Sequence, residues 1–508
     1  MKELLLVTIS LVYLFLKKQT RNYPPGPKHL PLLSNLFYIP THHTYLKFTQ
    51  YLKDLGSDVI YLDVAGMPFI VLNSLKAYND LLEKRSNIYL NQFHMTMGYE
   101  LVDGHCFLMM QPYDTEWCEG KRLVMQHLNA PSHQIPILEC ITEFVRKSLL
   151  PNSLNTLEDF FNHIHNSVRK SIISLTYGLL IKQVNDPWMA LAEEGLTCIT
   201  SAVLPRKWVV DIFPFLKHLP EWFPGVGFQT WAKKGRELIT QFFNEPFEAS
   251  KKLIVILNDG SLEEMATNDP EMERLIENMG GMFIAGGADT SMTATKNLIT
   301  VLLLFPKVQT KLQAKMDSVI GCDCLPDLSD KLNLPYLHAT LKEYLCWCPI
   351  VPGGFPHMTM EDDEYNGYFI PKGSIVTGNT WAIFYDEEYF PEPMKFDPTQ
   401  FLMPNGHLRT DKDVPDPDFD ATFGFSRWKC PGMDFRLVSY WLSAASLIAC
   451  FNITPEVGEM GKPIPLKFEY LGKEVVLHPE PFKCHITPCS PEVAALIQAG
   501  YDENSEYI

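Results

Sequence analysis

Cys430 closes the run Phe423-Gly424-Phe425-Ser426-Arg427-Trp428-Lys429-Cys430-Pro431-Gly432, a stretch of aromatic, small and basic residues that leads straight into a helical pattern from Met433 to about Cys450. Amides at a helix N-terminus and nearby cations favour thiolate over thiol, and a thiolate is a strong metal ligand. An arbitrary cysteine is usually a buried, inert thiol; this setting points the other way. About 140 residues earlier, Gly286-Gly287-Ala288-Asp289-Thr290-Ser291 places an acid and an alcohol beside two glycines. Glycine lets a backbone approach another body closely, while Asp289 and Thr290 can organise water.

The elements that must position these groups are legible as patterns. A helix is expected from about Pro270, with Asp269 as its N-cap, to Leu304, where Phe305-Pro306 breaks it. Gly280-Gly281 and Gly286-Gly287 lie inside it, each costing about 1 kcal/mol relative to alanine, a loss that close approach to another body explains. A helix and then short strands at Val59–Leu62 and Pro68–Leu72 precede it. Helical signals dominate from about residue 115 to 350, and short strand signals follow Pro349. The fold class expected is mainly α with small β-sheets (α+β).

The chain has 508 residues and a net charge of -17, which speaks against nucleic acid as a partner. Its 12 cysteines are scattered without zinc-site spacing, which suits a reducing compartment. Leu4 to Leu16 form an apolar run followed by Lys17, Lys18 and Arg21, with no small-x-small cleavage site. That pattern reads as a signal-anchor whose basic flank stays cytosolic, with a cleaved signal peptide as the other reading. The organisation expected is a membrane anchor over 1–21, a proline-rich hinge over 22–30 around Pro24-Pro25-Gly26-Pro27, and one catalytic domain over 31–508.

The Cys430 segment resembles the haem-binding loop of cytochrome P450 proteins, Phe-x-x-Gly-x-Arg-x-Cys-x-Gly. Phe423, Cys430 and Gly432 match, whereas Ser426 stands at the turn glycine and Trp428 at an arginine that pairs with a haem propionate in the family. Gly286 to Ser291 resembles the family's oxygen-activation motif. Lys342-Glu343-Tyr344-Leu345-Cys346 occupies the place of Glu-x-x-Arg, and Phe396-Asp397-Pro398-Thr399-Gln400-Phe401 that of Phe-x-Pro-Glu-Arg-Phe, so Cys346 and Gln400 stand where arginines are usual. Glu343 must then be protonated, solvated or hydrogen-bonded, for instance by the Gln400 amide. Trp117-Cys118-Glu119-Gly120-Lys121-Arg122 resembles the family's Trp-x-x-x-Arg helix, with Lys121 at the arginine, and His357 sits where related fungal enzymes place another propionate ligand.

The resemblance covers the whole chain and is nearest to fungal microsomal members of the O-methylsterigmatocystin oxidoreductase-like group. It implies haem b with Cys430 as the axial iron ligand, and a cofactor site of Phe423, Gly432, Trp117, Lys121, His357 and Arg427, the last standing in for the missing arginine. It implies a proton path through Asp289 and Thr290, O2 and a small apolar substrate, and electrons from NADPH through a cytochrome P450 reductase. Lys121, Arg122, Arg427, Lys429 and Arg436 are candidates for the reductase-docking face, or for propionate contact. An endoplasmic reticulum membrane location and a role in secondary metabolism follow from the same resemblance. Segments 91–107, 200–208 and 351–355 are expected to set substrate choice. Two other readings stand beside monooxygenation: an impaired pseudoenzyme or ligand-binding protein, favoured by Cys346, Gln400, Ser426 and Trp428, and a haem-thiolate isomerase or dehydratase, disfavoured by Asp289 and Thr290.

Overall fold

Alternating β-branched and aromatic residues set the sheet. Strand β1 (Val59–Val64) pairs antiparallel with β2 (Met67–Leu72), Val59 facing Leu72, across a turn where Ala65 and Gly66 both take positive φ. Strands β3 (Asn91–Gln92), β4 (His357–Met358) and β5 (Ile375–Gly378) complete a sheet of order β1-β2-β5-β4-β3, in which β2 and β5 run parallel and the other neighbours antiparallel. This is a computed structural model, and it describes residues 21–500 apart from 31–33, 130, 156–159, 183–184, 205, 258–268, 322, 411–413, 459–461, 467–468 and 472–474.

Two antiparallel two-stranded sheets, Asp363–Tyr365 with Tyr368–Ile370 and Phe451–Pro455 with Cys484–Pro488, stand apart from that sheet, and the body is otherwise mainly helical. The helices that bear on the site are α1 (Thr115–Asn129), α2 (Phe160–Tyr177), α3 (Pro187–Val203), α4 (Gly227–Leu257), α5 (Pro270–Leu304), α6 (Pro335–Trp347) and α7 (Met433–Cys450). The Asp269 side chain accepts from the amides of Glu271 (3.0 Å) and Met272 (3.3 Å), with Pro270 at the first turn, so α5 begins where its cap dictates. Its C-terminal half is buried on every side from Ser291 to Leu303, and Ile299 and Leu302 share one core with Leu442, Leu447 and Ile448 of α7 and Tyr344 of α6. That core fixes the distance between the helix carrying Asp289 and the helix that follows Cys430.

The interior glycines of α5 have two different causes. A Cβ on Gly280 would lie 2.7 Å from the Tyr177 hydroxyl, and one on Gly281 2.2 Å from the Phe243 ring, so this pair admits α2 and α4. A Cβ on Gly286 would meet nothing within 4 Å. This glycine leaves open space on the site side.

The expected anchor run, Leu4 to Leu16, lies outside the described residues. Among the described residues no helix is long and apolar enough to cross a membrane. The proline-rich segment is docked on the body: the Tyr61 amide donates to Pro25 O (2.9 Å), the Phe369 amide to Asn22 O (2.6 Å), and Tyr23 stacks on Tyr61 at 4.7 Å. Gly26 is required there, because a Cβ would fall 1.9 Å from Tyr61 O.

Candidate active site

The loop before α7 turns on two left-handed residues. Gly424 has φ 78, where a Cβ would come within 2.8 Å of Trp428 O, and Ser426 keeps the left-handed conformation (φ 42) that glycine holds more cheaply. The Ser426 amide donates to Glu83 Oε2 (2.6 Å) and the Cys430 amide to Phe423 O (2.7 Å), so the turn is fixed at both ends. Gly432 is the N-cap residue of α7, and its amide is directed at the Cys430 sulfur.

Cys430 opens onto a cavity of about 890 Å³. Burial pushes its thiol up, while the Gly432 amide, Lys121 and Arg436 act in the opposite direction. Ala285, Gly286, Gly287, Asp289 and Thr290 of α5 line the same cavity, and Phe107, Ile172, Ile199, Phe283 and Val476 line its apolar remainder. Phe355 and Val351 also line it, as does Thr200; Phe93 does not.

One edge of the cavity collects hydrogen-bond donors. Trp117 is 2% exposed and its Nε1 has no partner among the described residues. Burial brings Lys121 down to about 8, and its Nζ donates to Lys429 O, tying α1 to the residue before Cys430. His357 is driven down to about 3 by burial alone and is therefore neutral. Gln92 Nε2 lies 3.3 Å from His357 Nδ1; with the amide as donor, the ring proton sits on Nε2. Trp428 packs against Trp117 at 4.4 Å and His357 at 5.2 Å, and its indole N–H is committed to Leu90 O (2.9 Å).

Arg427 is placed elsewhere. It is exposed, and its guanidinium donates to the Tyr113 hydroxyl with no place in the cavity wall. Arg436, which the sequence offered as a docking cation, is instead buried at the cavity wall. Its Nε and Nη2 lack a partner among the described residues, and its charge lies 4.3 Å over the Tyr440 ring. Lys121 is likewise interior, so the outward-facing basic candidates are Arg122, Arg427 and Lys429.

The two missing arginines are replaced by unlike solutions. Cys346 is buried in an apolar cluster with Ile383, Phe390 and Phe401. Glu343 is 2% exposed; its Oε1 accepts from the Asp397 amide (2.7 Å) and its Oε2 from the Gln400 amide. Burial still raises its carboxyl to about 7. One residue earlier, Lys342 bonds Asp416 and lies 2.8 Å from Asp418, which also holds His338 at 2.9 Å. Sequence reading did not anticipate this ionic knot, whose halves lie more than seventy positions apart.

Opposite Cys430, Thr290 Oγ1 donates to Gly286 O at 2.8 Å. Asp289 Oδ2 lies 3.2 Å from His478 Nε2. Burial would raise the Asp289 carboxyl, but His478, Arg169 and Lys296 outweigh it and hold it below the usual range.

An apolar cavity with a cysteine at a helix N-terminus on one wall, an acid-alcohol pair on the other and donors along one edge suits a flat, apolar cofactor with anionic substituents. Haem b fits these residues, and the arrangement defines a haem-thiolate protein. The comparisons agree. Residues 24–486 match the family Cytochrome P450. The chain is 35% identical over 497 residues to cytochrome P450 monooxygenase 98 of Postia placenta, covering 96% of this chain and 94% of that one. It is 33% identical over 487 residues to tryptamine 4-monooxygenase of Psilocybe cyanescens, covering 92% and 94%. It shares its fold with a zebra fish cytochrome P450 solved with abiraterone (TM-score 0.67, 20% identity, 88% of this chain and 100% of that one). The chain belongs to the cytochrome P450 family and is an oxidoreductase.

Proposed function

We propose that this chain inserts one oxygen atom from O2 into a small, largely apolar organic substrate, with electrons arriving from NADPH through a cytochrome P450 reductase. The observation that carries the reading is that Cys430 lines one largely apolar cavity together with Gly286, Gly287, Asp289 and Thr290. When bound, haem supplies dioxygen activation and oxygen insertion. The chain's residues do the rest. Cys430 ligates the iron; Phe423 and Gly432 shape its loop; Trp117, Lys121 and neutral His357 offer N–H groups to the cofactor's carboxylates. Thr290, with its proton committed to Gly286 O, keeps lone pairs for ordering water, and Asp289 holds and releases protons beside it. Phe107, Ile199, Phe283 and Val476 exclude water and favour an apolar substrate.

Arg122, Arg427 and Lys429 offer the reductase a basic face. Membrane association, with an endoplasmic reticulum location and the catalytic part facing the cytosol, belongs to the same proposal. It is supported by the apolar run Leu4 to Leu16 and by Phe215, Trp222 and Phe223, which are 65%, 80% and 44% exposed between α3 and α4. Similarity to a protein named tryptamine 4-monooxygenase supports a place in secondary metabolism.

The test is the reduced, carbon monoxide-bound spectrum of the full chain beside Cys430→Ser, followed by NADPH oxidation with a reductase. A thiolate-type Soret band in the wild type that vanishes in the variant is expected. A folded wild type that takes up no haem would favour the ligand-binding reading, to which Trp428 lends support because its indole N–H is spent on Leu90 O.

A further inference from the structure

The acid of the acid-alcohol pair does not stand alone. His478, from the segment ahead of the last strand, spans two residues of α5 one turn apart: its Nε2 lies 3.2 Å from Asp289 Oδ2 and its Nδ1 2.8 Å from Thr293 Oγ1. One further turn along, Asn297 Nδ2 donates to Leu477 O at 3.3 Å. Asp289, Thr293 and Asn297 thus form a polar stripe at four-residue spacing, and the segment lies along it. Val475 and Val476 of the same segment line the cavity. Asp289 lines the cavity and His478 does not, so the carboxylate stands between the cavity and the imidazole, whose side chain keeps 12% exposure.

We propose that His478 is the positioning residue of this site, aiming the Asp289 carboxylate and supplying the proton that Asp289 passes to the cavity. The inference rests on the monooxygenase reading above. The step is a simple transfer. The Nε2–H bond of an imidazolium breaks, an Oδ2–H bond forms on Asp289, the N–H electron pair stays on Nε2, and the remaining Nδ1–H donates to Thr293 Oγ1. No electron moves, and the ring regains a proton from water. Each oxygen insertion uses two protons and two electrons to release the second oxygen atom as water, the electrons coming from NADPH.

The surrounding charges suit this task. Arg169 and His165 face Asp289 from α2, and Lys296 from α5 itself. Arg169 is in turn bonded to Glu193 of α3 at 3.3 Å. Burial with Arg169 and Lys296 brings His165 down to about 4, so it is neutral near pH 7. The arginine and lysine favour the ionised form of Asp289 and so return it to that form after each transfer.

The experiment compares full-length wild type, His478→Gln and His478→Leu with the reductase. Glutamine can bridge Asp289 and Thr293 but cannot carry the proton. His478→Gln is expected to keep the carbon monoxide spectrum, to keep hydrogen-exchange protection of the Leu477 amide, which donates to Ile350 O at 2.8 Å, and to keep guaiacol oxidation driven by hydrogen peroxide, which brings its own protons. Oxygen-driven NADPH turnover should fall by roughly 10- to 100-fold or be diverted to peroxide release. His478→Leu should lose the Leu477 protection as well. Wild-type turnover in His478→Gln would overturn the proposal, and so would an equal fall in the peroxide- and oxygen-driven reactions, which marks a structural role. Absence of the thiolate-type spectrum in the wild type itself would overturn the monooxygenase reading instead.

Discussion

Glu343 shows how a single side chain adapts when its usual counter-charges are gone. Two N–H groups satisfy its oxygens, yet burial keeps the native carboxyl protonated up to about pH 7, against 4.5 for the free group. Across that window the native state binds more protons than the unfolded chain, so stability falls as pH rises from about 4.5 to 7 and is level above. The loss amounts to about 3 kcal/mol. Denaturant unfolding as a function of pH should show this slope in the wild type and its absence in Glu343→Gln. The Gln400 contact was legible because amide and carboxyl are complementary at motif positions. Arg436 was not, since a pattern of residues shows a charge but not that its N–H groups are sealed from water. Two guanidinium nitrogens buried without a partner among the described residues are costly, so Arg436→Leu is expected to stabilise the cofactor-free protein, read as a raised denaturant midpoint. The same change should speed haem loss to apomyoglobin, because the cation beside Cys430 is removed.

At the scale of the element, α5 carries two glycine pairs of the same appearance and different physics. Gly281→Ala would force a methyl into the Phe243 ring, a cost of about 1–3 kcal/mol by overpacking. Gly286→Ala meets nothing and should gain about 1 kcal/mol in helix propensity, while narrowing the cavity on its Cys430-facing side. Urea unfolding and haem content measured on both variants separate the two effects. The ends of α5 and α7 were legible to the residue because caps and breakers are local: Asp269 and Pro270 start one helix, and Phe305-Pro306 ends it. His478 was beyond reach. Its contact with Asp289 spans 189 positions, and nothing in the sequence near Val476 or Pro479 signals which helix it touches.

For the whole molecule, the mainly helical body and its small sheets were present in the patterning, whereas a common site for Cys430, Asp289 and Thr290 was implied only by the family resemblance. What the sequence withheld was direction: which basic residues turn inward, as Lys121 and Arg436 do, and which outward, as Arg427 does on Tyr113. Phe215, Trp222 and Phe223 are all exposed on the one connection between α3 and α4, out of keeping with a surface of net charge -17. The double change Phe215→Glu and Trp222→Glu should lower sedimentation with phosphatidylcholine vesicles several-fold while leaving haem content unchanged. Finally, of the nine tryptophans in the chain, Trp117 and Trp428 lie together at the cavity wall, ring to ring at 4.4 Å. Indole emits in the region where porphyrins absorb, so energy passes from this pair to any haem lodged beside it. The protein therefore carries its own fluorescent gauge of occupancy, and the dimming of that light during titration would count filled sites before any reaction is known.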